Sequence, residues 1–465
     1  MSSLSRHRVA FFFFILFFVL GTTFLAVQLA KGYKIDFTKK IIKPTGLLNI
    51  SSSPLGAQVF VNGKLATATN NTLALEPGQY QIEIKKEGYW PWQKNLRIEK
   101  ELVTQEDTFL FPKVPDLQPL TFTEVQNPKI SPNRTEIAFV APLASPSASL
   151  VGLWIIDLAD SPLGIEKPPR LIAQSSLDKD FAKADYFWSP DSRQIIVGFA
   201  NSEAKYLLDP NKLNPISYLS DITNSLLKII SDWQKEEDLR QSAKLRKLPP
   251  ELQKILTENT KEIDFSPDGT KVSYIATGSA EIPPNLIPPV LAASTQKESR
   301  KLEANKLYVY DVKEDRNFEI PFNVPLPTPT PRPKKTKATL SPSPLNTKYL
   351  ILNTPLWFPT SRHLIWVDPP IGGEKVVACE YDGTNLTTIY SGPFIKPFVF
   401  APLTANKLII LTEISFGKET KPNLYSVSLR LSRKTTPHQC YSLIKFITFS
   451  KLKMKLLILQ KTIAI

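Results

Sequence analysis

Phe265-Ser266-Pro267-Asp268-Gly269-Thr270-Lys271-Val272-Ser273-Tyr274-Ile275 decides the fold. A Ser-Pro-Asp-Gly turn leads into a strand whose apolar residues alternate, the period-two signature of a β-strand packed on one face. The same pattern recurs. It reads ISPNRTEIAFV at 130–140, FWSPDSRQIIV at 187–197, WFPTSRHLIWV at 357–367 and, most degenerate, FAPLTANKLII at 400–410. A second apolar strand follows each copy at a variable distance. It reads GLWIIDL at 152–158, KYLLD at 205–209, KLYVYDV at 306–312, VVACEYDGT at 376–384 and NLYSV at 423–427. Two strand pairs per repeat make a four-stranded antiparallel sheet. One such sheet cannot bury both faces, but sheets packed radially can.

The repeat resembles the WD-like β-propeller repeats of TolB-type proteins over residues 120–430. The resemblance implies a propeller with about five recognisable blades. Such propellers often carry six to eight, so one or two further blades are expected to be hidden. The segment 109–128 is expected to add an extra or closing strand.

Upstream, residues 46–112 read as a compact all-β domain. Gln58-Val59-Phe60-Val61 closes on Asn62-Gly63, a type I′ hairpin signal, and Glu76-Pro77-Gly78 makes the next turn. Tyr80, Ile82 and Ile84 alternate behind it, up to Gly88. Pro54 sets φ at a turn start, while Gly56, Gly63, Gly78 and Gly88 are expected to supply positive φ. GLLNISSSPLGAQVFVNGK followed by LEPGQYQIEIKKEGYWPWQKNLRI resembles the PEGA domain, whose Pro-Glu-Gly-Ala-like turn appears as Pro54-Leu55-Gly56-Ala57. One departure is Thr69-Asn70-Asn71-Thr72, where that family often has Thr-Pro. The resemblance implies a small β-sandwich-like module without catalytic residues, usually extracytoplasmic.

Residues 9–30, VAFFFFILFFVLGTTFLAVQLA, carry no charge. As a helix this run is about 30 Å long, enough for a bilayer core. It reads as an uncleaved transmembrane anchor, since Gln28-Leu29-Ala30 is a poor signal-peptide cleavage site. Arg6 and Arg8 favour residues 1–8 as a short cytoplasmic N-terminus; Lys31, Lys34, Lys39, Lys40 and Lys43, in the spacer 31–45, argue the opposite way. The expected organisation is all-β beyond the anchor: PEGA-like domain 46–112, propeller 117–430, and basic tail 431–465. The propeller carries a helical insertion at 213–257, where Ile222, Leu226, Ile229, Ile230 and Trp233 recur at helical spacing. A second insertion at 321–346 contains PLPTPTPRP and should be extended.

The net charge of +14 invites a nucleic-acid partner. Half of it sits in the tail, which holds seven Lys or Arg and no acid. No arginine-rich stripe with aromatics appears, so no nucleic acid is expected. The basic surface reads as lying near anionic lipid headgroups.

Signals for chemistry are thin. Cys379 and Cys440 are the two cysteines, and nothing requires that they pair. Of His7, His363 and His438, only His363 suits a Ser-His-Asp triad, and it reads more simply as an exposed turn residue. Asp191 and Asp268 share one repeat position with Asn133, which suits turn capping better than acid catalysis or calcium binding. With Gly269 they are read as structural turn residues. Trp154, Tyr206, Tyr308 and Tyr425 are expected to wedge blade against blade. Tyr89, Trp90 and Trp92, clustered beside Gly88, form a candidate binding patch or a docking surface toward the propeller.

No catalytic residue, metal site or cofactor is expected. The leading reading is a single-pass membrane protein with its bulk outside the cytoplasm, a non-catalytic binding or scaffold protein of the cell envelope. Its lipid contact is residues 9–30, and its partner is a protein or polysaccharide on the propeller face. The alternatives are an envelope hydrolase or peptidase-related enzyme using the propeller channel, or a sensor subunit that needs a partner for output.

Overall fold

The computed structural model describes residues 3–30, 34–36, 41–122, 124–142, 151–159, 167–200, 202–288, 290–291, 294–324, 355–368, 375–392, 399–402, 406–413 and 421–429. The chain divides into units 1–430 and 431–465. The basic tail, Cys440, His438, the proline-rich run 325–333 and most of the 141–150 loop lie outside the described residues.

Residues 46–109 fold into two facing sheets. One has four strands in the order Lys64–Ala68, Gln58–Val61, Gly78–Lys85 and Trp92–Ile98. The other has three, with Gly46–Ser53 flanked by antiparallel Asn71–Leu75 and parallel Val103–Phe109. Leu48, Ile50, Val59, Ile82, Ile84, Leu96 and Ile98 fill the space between them. Asn62 (φ 49°) and Gly63 (φ 77°) take the left-handed conformations that a type I′ hairpin requires. Gly56, Gly88 and Gly269 also have positive φ, but Gly78 does not. It opens a strand instead, because the turn is completed before it at Glu76-Pro77.

Five four-stranded antiparallel sheets follow among the described residues. Blade 1 comprises Gln126–Ile130, Glu136–Ala141, Gly152–Asp157 and Arg170–Gln174; blade 2, Ala184–Trp188, Ile195–Phe199, Lys205–Leu208 and the two-residue Ser220–Asp221. Blade 3 comprises Thr260–Phe265, Lys271–Ala276, Leu307–Asp311 and Arg316–Ile320; blade 4, Leu356–Trp357, His363–Asp368, Lys375–Glu380 and Thr387–Ser391. Blade 5 takes Val399–Phe400, Lys407–Thr412 and Asn423–Ser428 from the end of the unit. Its fourth strand, Asp116–Pro119, comes from the start, paired to Asn423–Ser428. This N-terminal strand closes the ring, as expected for segment 109–128. Each expected blade corresponds to one sheet, and the described residues add no sixth.

The Ser-Pro-Asp turn is built from its own side chains. Ser266 donates to Asp268 Oδ1 and accepts from the Lys271 amide, while Asp268 accepts from the Thr270 amide. Ser189–Asp191 and Ser131–Asn133 repeat the arrangement. The residue after the Asp, Asn or Thr of the turn is left-handed each time: Arg134, Ser192, Gly269 and Ser361 have φ of 59°, 62°, 69° and 57°. Neighbouring turns are then joined. The Asn133 amide donates to Ser192 Oγ, linking blades 1 and 2, and the Asp268 amide donates to Ser361 Oγ, linking blades 3 and 4.

Between blades 2 and 3 the equivalent position is Gly269, which has no hydroxyl to offer. Here α2 (Leu226–Leu245) and α3 (Pro250–Asn259) intervene. Trp233, Leu226 and Ile229 pack on blade 2 through Ile196, Phe187 and Leu207. Leu245, Leu248, Leu252 and Leu256 pack on blade 3 around Tyr274, Tyr308 and Tyr310. Arg240 of α2 donates to the Pro190 carbonyl in the blade 2 turn. The helical insertion is thus a wedge in the ring. It starts later than the pattern suggested: residues 213–225 form short 3-10 turns and the last strand of blade 2, and Pro250 opens the second helix.

Around the rest of the ring, blade faces meet directly. Blades 1 and 2 share a core around Phe181, Tyr186 and Trp188, and blades 3 and 4 share one around Trp357 and Trp366. Blades 4 and 5 pack around Phe358 and Tyr425, and blades 5 and 1 around Phe400 and Phe139. Trp154 and Tyr206 sit half-buried against two of these cores, and Tyr425 lies inside a third, whereas Tyr308 faces the helical wedge.

α1 (Ser3–Ala30) is a 28-residue helix with exposed Phe11, Phe12, Phe13, Phe14, Phe17 and Phe18. The membrane crossing expected for 9–30 is not shown: among the described residues no helix is long and apolar enough to cross a membrane.

One side chain ties non-adjacent blades. Arg134 Nη2 of blade 1 donates to the Trp357 carbonyl of blade 4 at 2.8 Å, and its guanidinium lies 5.8 Å from the Phe400 ring of blade 5. Replacing Arg134 by Ala should cost about 2 kcal/mol, the range for a buried charged hydrogen bond. Urea denaturation checks this. A change below about 0.5 kcal/mol would mean that the tie contributes nothing.

Candidate functional site

A cluster of buried titratable groups, Lys94, Glu106, Arg362, His363, Glu380 and Asp382, lies where the small domain meets blade 4. In strand Trp92–Ile98 the burial alternates strictly, and the inward positions are Trp92, Lys94, Leu96 and Ile98. Period two therefore places a lysine among core residues. Lys94 is 4% exposed, and an ammonium there must be paired.

Blade 4 supplies the partners. Glu380 ends its third strand, and Asp382 lies in the turn beyond. Lys94 Nζ pairs with Glu380 Oε2 and, at 2.6 Å, with Asp382 Oδ2. Glu380 Oε1 accepts from Trp92 Nε1 at 2.5 Å, and the Gln93 amide donates to Asn385 Oδ1. The turn is held by Asp382 Oδ1, which accepts from the amide and hydroxyl of Thr384. Gly383 is obligatory within it. Its φ is 80°, and a β-carbon would come within 2.6 Å of the Glu319 carbonyl of blade 3.

A second pair crosses the same interface. Arg362, in the turn before the second strand of blade 4, donates to Glu106 Oε2 of the small domain at 2.9 Å. Tyr381 lies between the charges. Lys94, Lys271 and Arg362 stand 5.8, 4.6 and 5.9 Å from its ring.

His363 is not an exposed turn residue; it is 2% exposed. As the first residue of a blade strand it points between the domains, edge-on to Phe109 and Phe111. Nδ1 bonds the Thr360 hydroxyl, and Nε2 is 3.8 Å from Glu380.

Electrostatics follow from burial against pairing. For Lys94, burial pushes the pKa down, but Glu380 and Asp382 outweigh it and hold the ammonium charged well above its ordinary value. For Glu380, burial pushes up, but Lys94 and Arg362 hold the carboxyl below the usual range. Glu106 is raised because burial outweighs the pull of Lys94 and Arg362. Burial lowers His363 to about 4 despite Glu380. Every charge has its partner inside the protein, and the groups best suited to chemistry are used to join two domains.

The aromatic cluster divides. Trp92 docks on the propeller, and Tyr89 is buried and bridges to Pro112. Trp90 is 37% exposed, with Lys113 over its ring. Asp191 and Asp268 sit in their turns, hydrogen-bonded as described above. Cys379 is a buried free thiol. Among the described residues no group of His, Cys, Asp and Glu has metal-site geometry.

The pH dependence has a definite sign. A base whose folded pKa is lowered keeps its full stability above the ordinary value and loses it as pH falls. His363 therefore withdraws on the order of 3 kcal/mol between about pH 7 and pH 4, and Glu380 withdraws more below its ordinary 4.5. Glu106, with a raised pKa, offsets part of this on acidification. Stability should fall from pH 7 to pH 4, and His363→Gln should flatten the slope between pH 6.5 and 4. Denaturant midpoints across that range check this; an unchanged slope in the variant would contradict it.

No curated protein matches the chain. Among solved structures, TolB from Acinetobacter baumannii is 11% identical with a TM-score of 0.20, covering 80% of this chain and 63% of that one. A TolB structure from Agrobacterium tumefaciens is also 11% identical with a TM-score of 0.20, covering 65% and 78%. The β-propeller domain of the Trilobed protease from Pyrococcus furiosus is 11% identical with a TM-score of 0.15, covering 82% and 85%. Superpositions this loose carry no argument, and the propeller rests on the sheet order itself. A protein-family model does match, over the stretch that holds Lys94 and Glu106: residues 45–110 are a PEGA domain.

Proposed function

We propose that this chain is a non-catalytic binding or scaffold protein of the cell envelope, anchored in the membrane by α1, with its bulk outside the cytoplasm. The observation that carries the reading is the buried pairing of Lys94 with Glu380 and Asp382. It fuses the PEGA domain to blade 4 and makes the two one rigid body. A small domain paired to a ring of blades holds the two in a fixed attitude to one another. That geometry suits presentation of a surface to a protein or polysaccharide rather than turnover.

The uncharged run 9–30 supports the anchor, and the PEGA domain supports an extracytoplasmic setting. Arg6 and Arg8 favour retention of the N-terminal end inside, while the lysines from Lys31 to Lys43 oppose it. The loop between blades 1 and 2 supplies a probe position, Leu177, which is fully exposed. Leu177→Cys in a Cys440→Ser background should react with a membrane-impermeant maleimide in intact spheroplasts. The protein should also stay in the membrane fraction after alkaline carbonate washing. Labelling only after lysis would overturn the orientation, and release by carbonate would overturn the anchor.

A further inference from the structure

Blade 2 differs from the other blades at its outer edge. Its fourth strand is only Ser220–Asp221, against four or five residues elsewhere. Beside this shortened strand is an open cavity of about 460 Å³, within the ~300–1,000 Å³ range of small-ligand sites.

The cavity's supporting loop is built rather than loose. Asn214, 8% exposed, accepts from the Asp209 amide and donates through Nδ2 to the carbonyls of Ile172, Asp209 and Lys212. Its own amide also donates to the Ile172 carbonyl. Asp209 accepts from the Asn211 amide and pairs with Lys212 at 3.2 Å. Residues 209–214 are therefore fixed before any ligand arrives, which lowers the entropic cost of binding.

The groups facing the cavity are mostly donors. Arg193 is exposed, and its nearest carboxylate, Asp191, is 3.9 Å away. Gln194, Tyr218 and Ser220 line the same space, with a side-chain amide and two hydroxyls among them, and Tyr218 and Ser220 are exposed. Tyr218 is 83% exposed, with Pro215 and Leu213 also on the lining. An exposed aromatic ring is a platform for the C–H face of a sugar ring. Amide, hydroxyl and guanidinium groups around it match the equatorial hydroxyls and carboxylates of a glycan. Among the lining residues Arg193 and Lys212 outnumber the one carboxylate, Asp209, which is paired with Lys212, while Asp191, outside the lining, stands 3.9 Å from Arg193.

We propose that this blade 2 cavity binds an acidic polysaccharide, with the sugar face on Tyr218 and a uronate-type carboxylate on Arg193. The proposal rests on the binding-protein reading above and names its ligand class.

Titration calorimetry of the full chain in detergent micelles tests it, with tri-galacturonate, galactotriose and hexaglutamate as probes. The expected result is saturable binding of tri-galacturonate, at least tenfold tighter than either other probe. Tyr218→Ala should weaken both saccharides at least tenfold, whereas Arg193→Gln should weaken only the acidic one. Both side chains are exposed, so thermal melts of the variants should match the parent and exclude misfolding. No saturable binding, equal binding of hexaglutamate, or affinities unchanged in both variants would overturn the proposal. External labelling at Leu177→Cys together with any of these failures would reject the glycan site alone and leave the envelope reading standing.

Discussion

A lysine ammonium removed from water is unfavourable by several kcal/mol unless charges and hydrogen bonds replace its hydration. Lys94 satisfies that condition only when blade 4 is in place. Its strand points it into the same interior as Trp92, Leu96 and Ile98, and the carboxylates that neutralise it belong to the propeller. The buried pair is thus less a source of net stability than a specification. Any other placement of the small domain would leave Lys94, Glu380 and Asp382 desolvated and unpaired. Arg362–Glu106 and the Gln93–Asn385 bond extend that specification across the contact, and Gly383 lets the turn carrying Asp382 approach blade 3.

The ring obeys a different constraint. Each four-stranded sheet has two apolar faces, so every blade needs a neighbour on both sides. Four of the contacts are made blade to blade. The fifth is made through α2 and α3, whose leucines and Trp233 fill the gap between blades 2 and 3. The terminal strand Asp116–Pro119 completes blade 5, so closure of the ring fixes the point at which the chain leaves the PEGA domain. The linker between the two domains is therefore short, and closure and docking reinforce one another.

Much of this was legible in the sequence, because local chemistry dictated it. The Ser-Pro-Asp turns, the Asn62-Gly63 hairpin and the alternating strands carry their conformation within a few residues. The docking surface was legible only on the small domain's side, where Trp92 reads as part of a patch facing the propeller; its charged pairing was not, because the two halves lie nearly three hundred residues apart. One signal was present: Lys94 interrupts an otherwise apolar alternation, which marks a buried charge in search of a partner. His363 was misread for the complementary reason. It sits at a turn in sequence, but Phe109 and Phe111, brought over by the docked domain, cover it. Gly78 was misassigned because a glycine beside a proline suggests a turn even when the strand has already begun. The start of the helical insertion was placed too early because Ile222 fits the helical spacing while lying in the segment that leaves blade 2.

The central claim is that the PEGA domain and the propeller are one mechanical unit joined through Lys94. Scanning calorimetry of the full chain, compared with Lys94→Met, tests it most directly. The account predicts one cooperative transition for the parent. The variant retains the strand's apolar alternation but strands Glu380 and Asp382, and should unfold in two separated steps. Two independent transitions in the parent, or a single transition at an unchanged temperature in the variant, would contradict it.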